Sequence, residues 1–503
     1  MKNTYLNQVR RVLIVGGGTA GWMTAAMLAR ILGEQIQLQL VESDSIGTVG
    51  VGEATIPAIQ HFNAALGINE AEFLRATKGS IKLGIQFENW GRLGDSYMHA
   101  FGPVGRQLGM ASFHHFWLAA QAKGDKSSFW DYSLNYQAAK AGKFSPQSQL
   151  PNSPLPGLQY AYHFDAGLYA AFLRRYSEQR RVKRVEGLIA KVEQQPSGDI
   201  TAVVLTDGQV LTADLFIDCS GLRALLIEQT LATGYDNWQY WLPCDSALAV
   251  PSEARYPIVP YTRSIAHGGG WQWRIPLQHR TGNGLVYSSR FLDDEQAKQI
   301  LLSNLDASAL AEPRKISFVT GRRKQQWRRN CVAIGLSSGF LEPLESTSIH
   351  LIQSAVVRLV QCFPASRDMA ALSAEFNRQS QHEFEAIRDF IILHYHLNQR
   401  TDHPLWQYCR EMDLPDTLAQ RLELFRQSGQ VFRQQDELFT EVAWLQVMLG
   451  QNMCPTSHHP LAEGLTVTQL SGYLSDLQRV VSKTVMALPT HQAYLQHLVG
   501  NLS

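Results

Sequence analysis

The sequence predicts an α/β protein in which a Rossmann-like dinucleotide-binding unit and a β-meander share one chain with a largely α-helical module. Three observations carry this prediction. A GxGxxG string stands between an apolar run and a helical segment, strand-like alternation with turn residues fills 187–218, and helical spacing takes over beyond Ile349.

In chain order, Val12-Leu13-Ile14-Val15 is a short apolar run rich in β-branched residues, as a strand covered on both faces requires. Ala20 to Leu32 reads as a helix ended by Gly33. Ile36, Leu38 and Leu40 then alternate with Gln37 and Gln39 up to Val41-Glu42, closing a βαβ unit of about 30 residues. Gly79 to Gly157 is rich in aromatics and glycine without a clear period, and reads as an inserted substrate-facing segment. Between Gly187 and Asp218, turn signals at Pro196-Ser197-Gly198-Asp199 and Asp207-Gly208 separate strand-like runs, a meander returning to the parallel sheet. Ile349, Ile352, Val356, Leu359 and Val360 keep helical spacing, and most of 370–502 reads as helix with polar connections. The expected division is 1–100 with 155–350 for the nucleotide-binding α/β part, and 101–154 with 351–503 for a mainly helical substrate-binding part.

At 503 residues, 45% hydrophobic and 18% charged, the chain can bury large cores, which excludes a disordered linker or a small disulfide scaffold. Lys plus Arg at 45 against Asp plus Glu at 44 leave a net charge of +1, so no global field draws nucleic acid or an anionic membrane. The six cysteines contain no CxxC pair, which points to free thiols in a reducing compartment, so a cytoplasmic location is expected. Arg10-Arg11 before Val12 imitates the start of a secretory signal, but Gly16-Gly17-Gly18 breaks the run at once. No uninterrupted apolar stretch of about 18 residues follows, so a soluble chain is expected.

Gly16-Gly17-Gly18-Thr19-Ala20-Gly21 has mechanical content. Gly16 permits the tight turn, Gly18 lets a pyrophosphate approach the main chain, and Gly21 lets helix and strand pack closely. The N–H groups at the helix start, around Thr19 and Ala20, face the phosphates. Glu42, 21 residues after Gly21, ends the next strand, where an acid accepts hydrogen bonds from ribose hydroxyls. Motif and acid fit FAD and NAD alike. Val49-Gly50-Val51-Gly52-Glu53-Ala54-Thr55-Ile56-Pro57 follows as a loop whose Gly52, Glu53 and Ala54 suit close approach to a flat ligand, an ordinary glycine loop being the alternative.

Trp271-Gln272-Trp273-Arg274-Ile275-Pro276 spells a WxWxIP string. It is joined by Ile81-Lys82-Leu83-Gly84-Ile85-Gln86-Phe87-Glu88-Asn89-Trp90, Tyr162-His163-Phe164-Asp165-Ala166, Asp218-Cys219-Ser220-Gly221 and the run from Gly339-Phe340-Leu341-Glu342-Pro343 through Leu344-Glu345-Ser346-Thr347-Ser348-Ile349. Together with the glycine turn these segments closely resemble the flavin-dependent halogenases, the family named for tryptophan halogenase. The resemblance implies FAD as the dinucleotide, with Gly335 and Leu344 among the residues that hold it. It implies a reaction in which FADH2, oxygen and chloride or bromide give hypohalous acid, which halogenates an electron-rich aromatic carbon. It also implies a separate flavin reductase that supplies FADH2 by diffusion.

Lys82 lies in an apolar stretch, and burial would lower its pKa and expose some neutral amine. That amine could take up halogen as a haloamine, or its ammonium could hold hypohalous acid by a hydrogen bond. Ser346, Thr347 and Ser348 are good capping residues before a helix, so the string also reads as a well-capped helix start. In the functional reading, N–H groups near Thr347 and Ser348 form a halide site, and Glu345 accepts the ring proton as general base. Trp271 and Trp273 alternate on a strand and are either core or, with Ile275 and Pro276, a shield between flavin and organic substrate, as the resemblance implies. His99 and Phe101 match the family position that sandwiches an aromatic substrate, although loop packing would also account for them.

The resemblance fails at the C-terminal end. Free-tryptophan halogenases carry a tyrosine pair and a Gly-Glu motif that grip the amino acid, whereas Trp444-Leu445-Gln446-Val447-Met448-Leu449-Gly450-Gln451 offers neither. An indole-like or phenolic substrate other than free L-tryptophan is therefore expected. No catalytic metal is expected: His382-Glu383-Phe384-Glu385-Ala386 lacks the second histidine of HExxH, and His394 and His396 fall on different helix faces. His114-His115 and His458-His459 read as surface or core residues, and no GxSxG elbow occurs. Two other functions compete. A single-component FAD aromatic hydroxylase shares the architecture, but Ile334-Gly335-Leu336-Ser337-Ser338 lacks the Asp usual after that glycine. A flavin-binding protein without chemistry is disfavoured by the retention of Lys82 and Glu345.

Overall fold

The computed structural model describes residues 8–47, 52–150, 153–434 and 436–500. The chain forms two compact units, each from three stretches. Met1–Gly79, Phe164–Asp245 and Ile316–Glu385 make the first; Ser80–His163, Ser246–Lys315 and Ala386–Ser503 make the second.

The first unit is built on a six-stranded sheet in the order Trp327–Arg328, Cys331–Ala333, Leu215–Asp218, Arg11–Val15, Gln37–Glu42, Lys183–Glu186. The strand Arg11–Val15 is flanked in parallel by Gln37–Glu42 and Leu215–Asp218, with Val12 opposite both Leu38 and Leu215. Its neighbours on both sides explain its unbroken apolar run: Val12 to Val15 are all buried. The helix Gly18–Leu32 follows and stops at Gly33, whose φ of 51° turns the chain out of the helix. The strands Ile189–Gln194, Ile200–Leu205 and Val210–Thr212 form the expected antiparallel meander, after which Leu215–Asp218 rejoins the parallel sheet. Val203, Leu205 and Leu211 of the meander close a core over Leu13, Val15 and Phe216.

In the second unit a sheet runs Ser246–Glu253, Arg280–Tyr287, Gly270–Pro276, Thr262–His267, Gly84–Glu88, Ser96–Ala100. All of these pairs are antiparallel except Thr262–His267 with Gly84–Glu88. The short strand Ser80–Lys82 pairs separately, with Ser80 opposite His163 and Lys82 opposite Ala161. The segment that had no clear period thus contributes three strands and the helices Phe113–Ala122 and Leu134–Lys140. Its strands Ser80–Lys82 and Gly84–Glu88 are buried almost throughout, so they carry no polar face and no alternation to read. Past the sheet the unit is helical, with Pro404–Glu411, Asp416–Ser428, Glu441–Gly450, Val467–Ala487 and His491–Val499.

The compact units follow other lines than the division expected from sequence. Residues 80–100 and 246–315 belong to the second unit, and 351–385 to the first. Strand pairing explains the difference: the strands at 84–100 and 246–287 join one another rather than the parallel sheet. No helix among the described residues is long and apolar enough to cross a membrane. All six cysteines are free, and Cys454 alone among them is exposed.

Candidate active site

In the first unit the glycine turn is fixed by close approach. Gly16 donates its N–H to Val41 O at 2.8 Å, and a Cβ on it would lie 2.3 Å from Cys219 O, so only glycine fits there at its φ of 105°. A Cβ on Gly21 would lie 2.0 Å from Gly16 O, which is the helix-to-strand packing the motif requires. At Gly18 the same construction meets nothing within 4 Å, so open space borders the turn at the position assigned to the pyrophosphate. A Cβ on Gly335 would lie 2.7 Å from Ala20 Cβ, so the turn Gly335–Ser337 rests against the start of the helix Gly18–Leu32. Thr19 is half-buried in the same turn. Gly16, Gly18, Thr19, Ala20, Gly21 and Gly335 are thus brought together at the start of the helix Gly18–Leu32.

Glu42 lies directly against Gly17. Its carboxylate accepts from Arg184 Nε at 2.7 Å and from Trp22 Nε1 at 3.3 Å, so the acid is held in place by its own unit. Gly52 is buried and precedes the strand Glu53–Ala54; Val49 to Val51 of that loop lie outside the described residues. Burial pushes the Glu53 carboxyl up to about 7.

Asp218 of the Asp-Cys-Ser-Gly signature has a structural task. Its carboxylate accepts from the N–H groups of Leu226 and Ile227, both at 2.8 Å, and from Ser220 N and Oγ, locking the strand end to the π-helical turn Leu225–Thr230.

Glu345 ends the short turn Pro343–Glu345, and both it and Leu344 are buried. Ser346 follows at φ 58°, a left-handed conformation that costs a non-glycine residue about 1–2 kcal/mol. The helix then begins at Ser348 with Thr347 as its N-cap. The sequence expectation of a side-chain cap is not met. Thr347 has φ −89° and ψ −9°, a helical geometry rather than the extended one from which a cap oxygen reaches the first turn, and it makes no capping bond. Among the described residues its buried Oγ1 has no hydrogen-bond partner, as a hydroxyl poised for an external partner would have none. Further along, Glu383 of the incomplete HExxH string is spent on packing. Burial would raise its pKa, but His350 at 3.0 Å and Arg358 at 2.8 Å outweigh it and hold the carboxyl at about 2.

In the second unit Lys82 is fully buried, 0% exposed, with Nζ 5.4 Å from the centroid of the Phe101 ring. The strand that carries it is gripped on every side. Ser80 Oγ donates to Pro276 O at 2.6 Å and lies 3.0 Å from His163 Nδ1, while His163 Nε2 lies 2.9 Å from Thr262 Oγ1. Ile81 N–H donates to His491 Nε2 at 3.2 Å, and Leu83 N–H to Pro260 O at 2.8 Å. Burial, then the charge of Lys82, hold His163 well below its ordinary pKa, and burial brings His491 down to about 4.

His99 stands in the strand Ser96–Ala100 rather than in a loop, and Phe101 directly follows it. Gln446 fixes the residue between them, accepting from Ala100 N and donating to Ala100 O, both at 3.0 Å. The His99 ring meets Phe390 at 5.6 Å and Phe439 at 6.1 Å, which makes an aromatic wall. Trp271 and Trp273, both buried on the strand Gly270–Pro276, have ring centroids 6.1 Å apart. Gly284 stands opposite Trp273, where a Cβ would fall 2.1 Å from the indole, so this glycine makes the room for that ring. Ile275 and Pro276 finish the buried strand.

Several polar groups of the helix Glu441–Gly450 and its cap are used by the protein itself, while Trp444 Nε1 and Gln451 Oε1 are buried without a hydrogen bond among the described residues. Gln446 binds Ala100, and Gln451 donates to Tyr97 Oη and His394 O. The nearby Arg421 donates to both Glu437 oxygens, at 2.7 and 3.0 Å, and stacks 4.0 Å over Trp444. Sequence reasoning missed His491, Gln446 and this ion pair, because no local pattern ties position 491 to 81 or 446 to 100. His163 was visible within a signature, but its hydrogen bonds were not. Among the described residues no group of three or more His, Cys, Asp or Glu is placed to hold a metal ion.

A glycine cradle at the end of a parallel strand, with an acid closing the next strand, defines an α/β dinucleotide-binding protein. Comparison with known proteins narrows this to flavin. Residues 11–466 match the family model for tryptophan halogenase, and the chain belongs to that family. It is 38% identical to tryptophan 6-halogenase SttH of Streptomyces toxytricini over 83% of this chain and 84% of the relative. Among solved structures it is similar to Xcc4156, a flavin-dependent halogenase from Xanthomonas campestris, with a TM-score of 0.94 and 52% identity over 97% of this chain and 98% of that one. It is also similar to BrvH, a flavin-dependent halogenase from Brevundimonas sp. BAL3, with a TM-score of 0.94 and 43% identity over 98% and 99% of the two chains.

Proposed function

We propose that this protein, an FADH2-dependent halogenase by family, places bromide or chloride on an electron-rich aromatic carbon of an indole-like or phenolic compound, with Lys82 handling the oxidant and Glu345 taking the proton. The observation that carries the reading is the complete burial of Lys82 beside an aromatic ring. A lysine is seldom buried without a task, because removing its charge from water is costly.

The cofactor would be held by Gly16, Gly18, Thr19, Ala20, Gly21 and Gly335 around its phosphates, by Glu42 at a ribose, and by Gly52, Glu53, Ala54 and Leu344 along its length. When bound and reduced, with oxygen and halide, it supplies hypohalous acid. A diffusing flavin reductase would provide the reduced form. Thr347 and Ser348 would hold the halide at the helix start, where partial positive charge favours an anion and Thr347 Oγ1 has no hydrogen-bond partner among the described residues. Lys82 Nζ would hold hypohalous acid by a hydrogen bond or carry the halogen as a haloamine. In either form the O–halogen or N–halogen bond would break with its electron pair left on oxygen or nitrogen, electrophilic halogen would pass to the ring carbon, water or the free amine would remain, and the displaced ring proton would go to a base. Glu345, a buried carboxyl, is the group proposed to accept it. Trp271, Trp273, Ile275 and Pro276 would keep the organic substrate apart from the flavin, and His99 with Phe101 would stack on the ring.

The neutral substrate class follows from charge accounting. Gln446, the amide nitrogen of Gln451, and the Arg421–Glu437 pair are already engaged within the protein, so entry of a free amino acid's ammonium and carboxylate would strip water that these charged and amide groups are not free to replace. The test is incubation with a flavin reductase, FAD, NADH and bromide or chloride across indoles, phenols and pyrroles, read by the isotope pattern of the product. Oxidation of NADH by the pure protein without reductase, yielding hydroxylated product, would instead favour a single-component hydroxylase.

A further inference from the structure

Two neutral histidines hold the strand that carries Lys82, and their protonation states follow from their partners. Ser80 has one hydroxyl proton, and at 2.6 Å it goes to Pro276 O, a pure acceptor. Toward His163, 3.0 Å away, Ser80 Oγ must therefore accept, so His163 carries its proton on Nδ1. His163 Nε2 is then the acceptor for the hydroxyl of Thr262 at 2.9 Å. His491 is fixed in the same way. Its Nδ1 faces Ile258 O at 2.8 Å and must donate, while its Nε2 faces Ile81 N–H at 3.2 Å and must accept. Its own N–H donates to Gly142 O at 2.8 Å. Both rings are 0% exposed, and neither has a nitrogen left over.

We infer that His163 and His491 are positioning residues for Lys82: as neutral imidazoles they clamp the strand Ser80–Lys82 at the two residues before the lysine, and so aim its amine at the reacting ring carbon. Their neutrality matters because a second positive charge beside the buried ammonium would oppose it. His491 comes from the helix His491–Val499, so the end of the chain reaches the catalytic strand through one imidazole nitrogen. This inference rests on the reading that Lys82 handles the oxidant.

The test separates aiming from folding by measuring how the oxidant is divided. Bromide, reduced FAD and indole are supplied together with a freely diffusing β-diketone that traps escaped hypohalous acid, and the ratio of bromoindole to brominated trap is compared among variants. His491→Gln can place its Oε1 where Nε2 stood and keep the bond from Ile81. His491→Asn keeps a donor for Ile258 but loses that bond. Ser80→Ala releases His163 from the strand with almost no change in volume. His491→Gln is expected to divide the oxidant as the parent does. His491→Asn and Ser80→Ala should shift the ratio toward the trap by ten- to about a hundredfold, the scale of a misplacement near 1 Å, with the KM for indole and the affinity for FAD nearly unchanged.

Parent-like ratios in folded His491→Asn and Ser80→Ala overturn the inference, and so does equal leakage from His491→Gln and His491→Asn at unchanged melting temperature. If His491→Asn does not fold, Ser80→Ala decides. Lys82→Ala runs alongside. If it still brominates indole above the level of free hypohalous acid, the reading of Lys82 itself fails; if it is inactive while Ser80→Ala behaves as the parent, only the clamp fails.

Discussion

Replacing Lys82 by methionine or by alanine should abolish halogenated product in both cases, with the alanine variant the less stable of the two. The side chain is 0% exposed and its nitrogen lies 5.4 Å from the Phe101 ring centroid, so its stem fills space inside the second unit. Both substitutions remove the amine and whatever it contributes, so the difference between them isolates the volume of the stem. Methionine nearly matches that volume, whereas alanine leaves a cavity, and truncating a buried methionine-sized side chain to alanine costs about 2–5 kcal/mol. At about 2 °C per kcal/mol for a domain of this size, Lys82→Ala should melt about 4–10 °C below Lys82→Met. The assay pairs thermal melts of the two apoproteins with product detection under reductase, FAD, NADH and bromide. Equal melting temperatures would refute the burial of the stem, and a variant that still forms product above the level given by free hypohalous acid would refute the role of the lysine.

Glu345→Gln keeps the shape of the buried side chain but not its basicity, and turnover should fall by about two to four decades; near-parent turnover would remove Glu345 from the mechanism. With equal halide concentrations brominated product should at least equal chlorinated product, because a helix start selects charge more than radius and bromide is the easier to oxidise, whereas a predominantly chlorinated product would show discrimination by size. Indole should give a higher kcat/KM than free L-tryptophan and react at its most nucleophilic carbon, C3; the reverse order with halogen on the benzene ring would mean that an amino-acid clamp exists elsewhere in the chain. Burial raises the folded-state pKa of Glu53 from 4.5 to about 7, so the stability this residue contributes is fully present below about 4.5 and declines as pH rises toward 7. Denaturation of the apoprotein should therefore show Glu53→Gln gaining on the parent between those values and holding its advantage above them, and a pH-independent difference would contradict the shift.

Local chemistry made the first unit readable. Gly16 and Gly21 announce close approach of backbone to backbone, and the contacts their missing Cβ atoms would make are the reason for them. The meander was legible because turn residues at 196–199 and 207–208 fall between the strands Ile189–Gln194, Ile200–Leu205 and Val210–Thr212. The segment from 79 to 157 was not, since strands buried on both sides leave no period to detect. The start of the helix Ser348–Gln361 shows a different limit. Three capping residue types in a row are a good sign of a helix N-terminus, but they do not tell which oxygen caps, and the left-handed Ser346 turns the chain so that Thr347 cannot. Lys82 was identifiable only through its family resemblance, because its burial depends on Phe101, His163 and the sheet around it.

The bonds around Lys82 also explain how so small an element could hold the group proposed to handle the oxidant. A three-residue strand supplies few ladder hydrogen bonds, and short pairings of this kind are weak alone. Here the side chain of Ser80 and the backbone N–H groups of Ile81 and Leu83 are each tied to a different part of the second unit: Pro276 and His163, then His491, then Pro260. Because those partners are buried and leave the imidazoles no spare nitrogen, none of these bonds can be exchanged for water without unfolding its surroundings. The lysine is therefore placed by restraint of the backbone before and after it, which is the arrangement it needs if it is to hand halogen to one carbon of a neutral ring that carries no charge by which to be gripped.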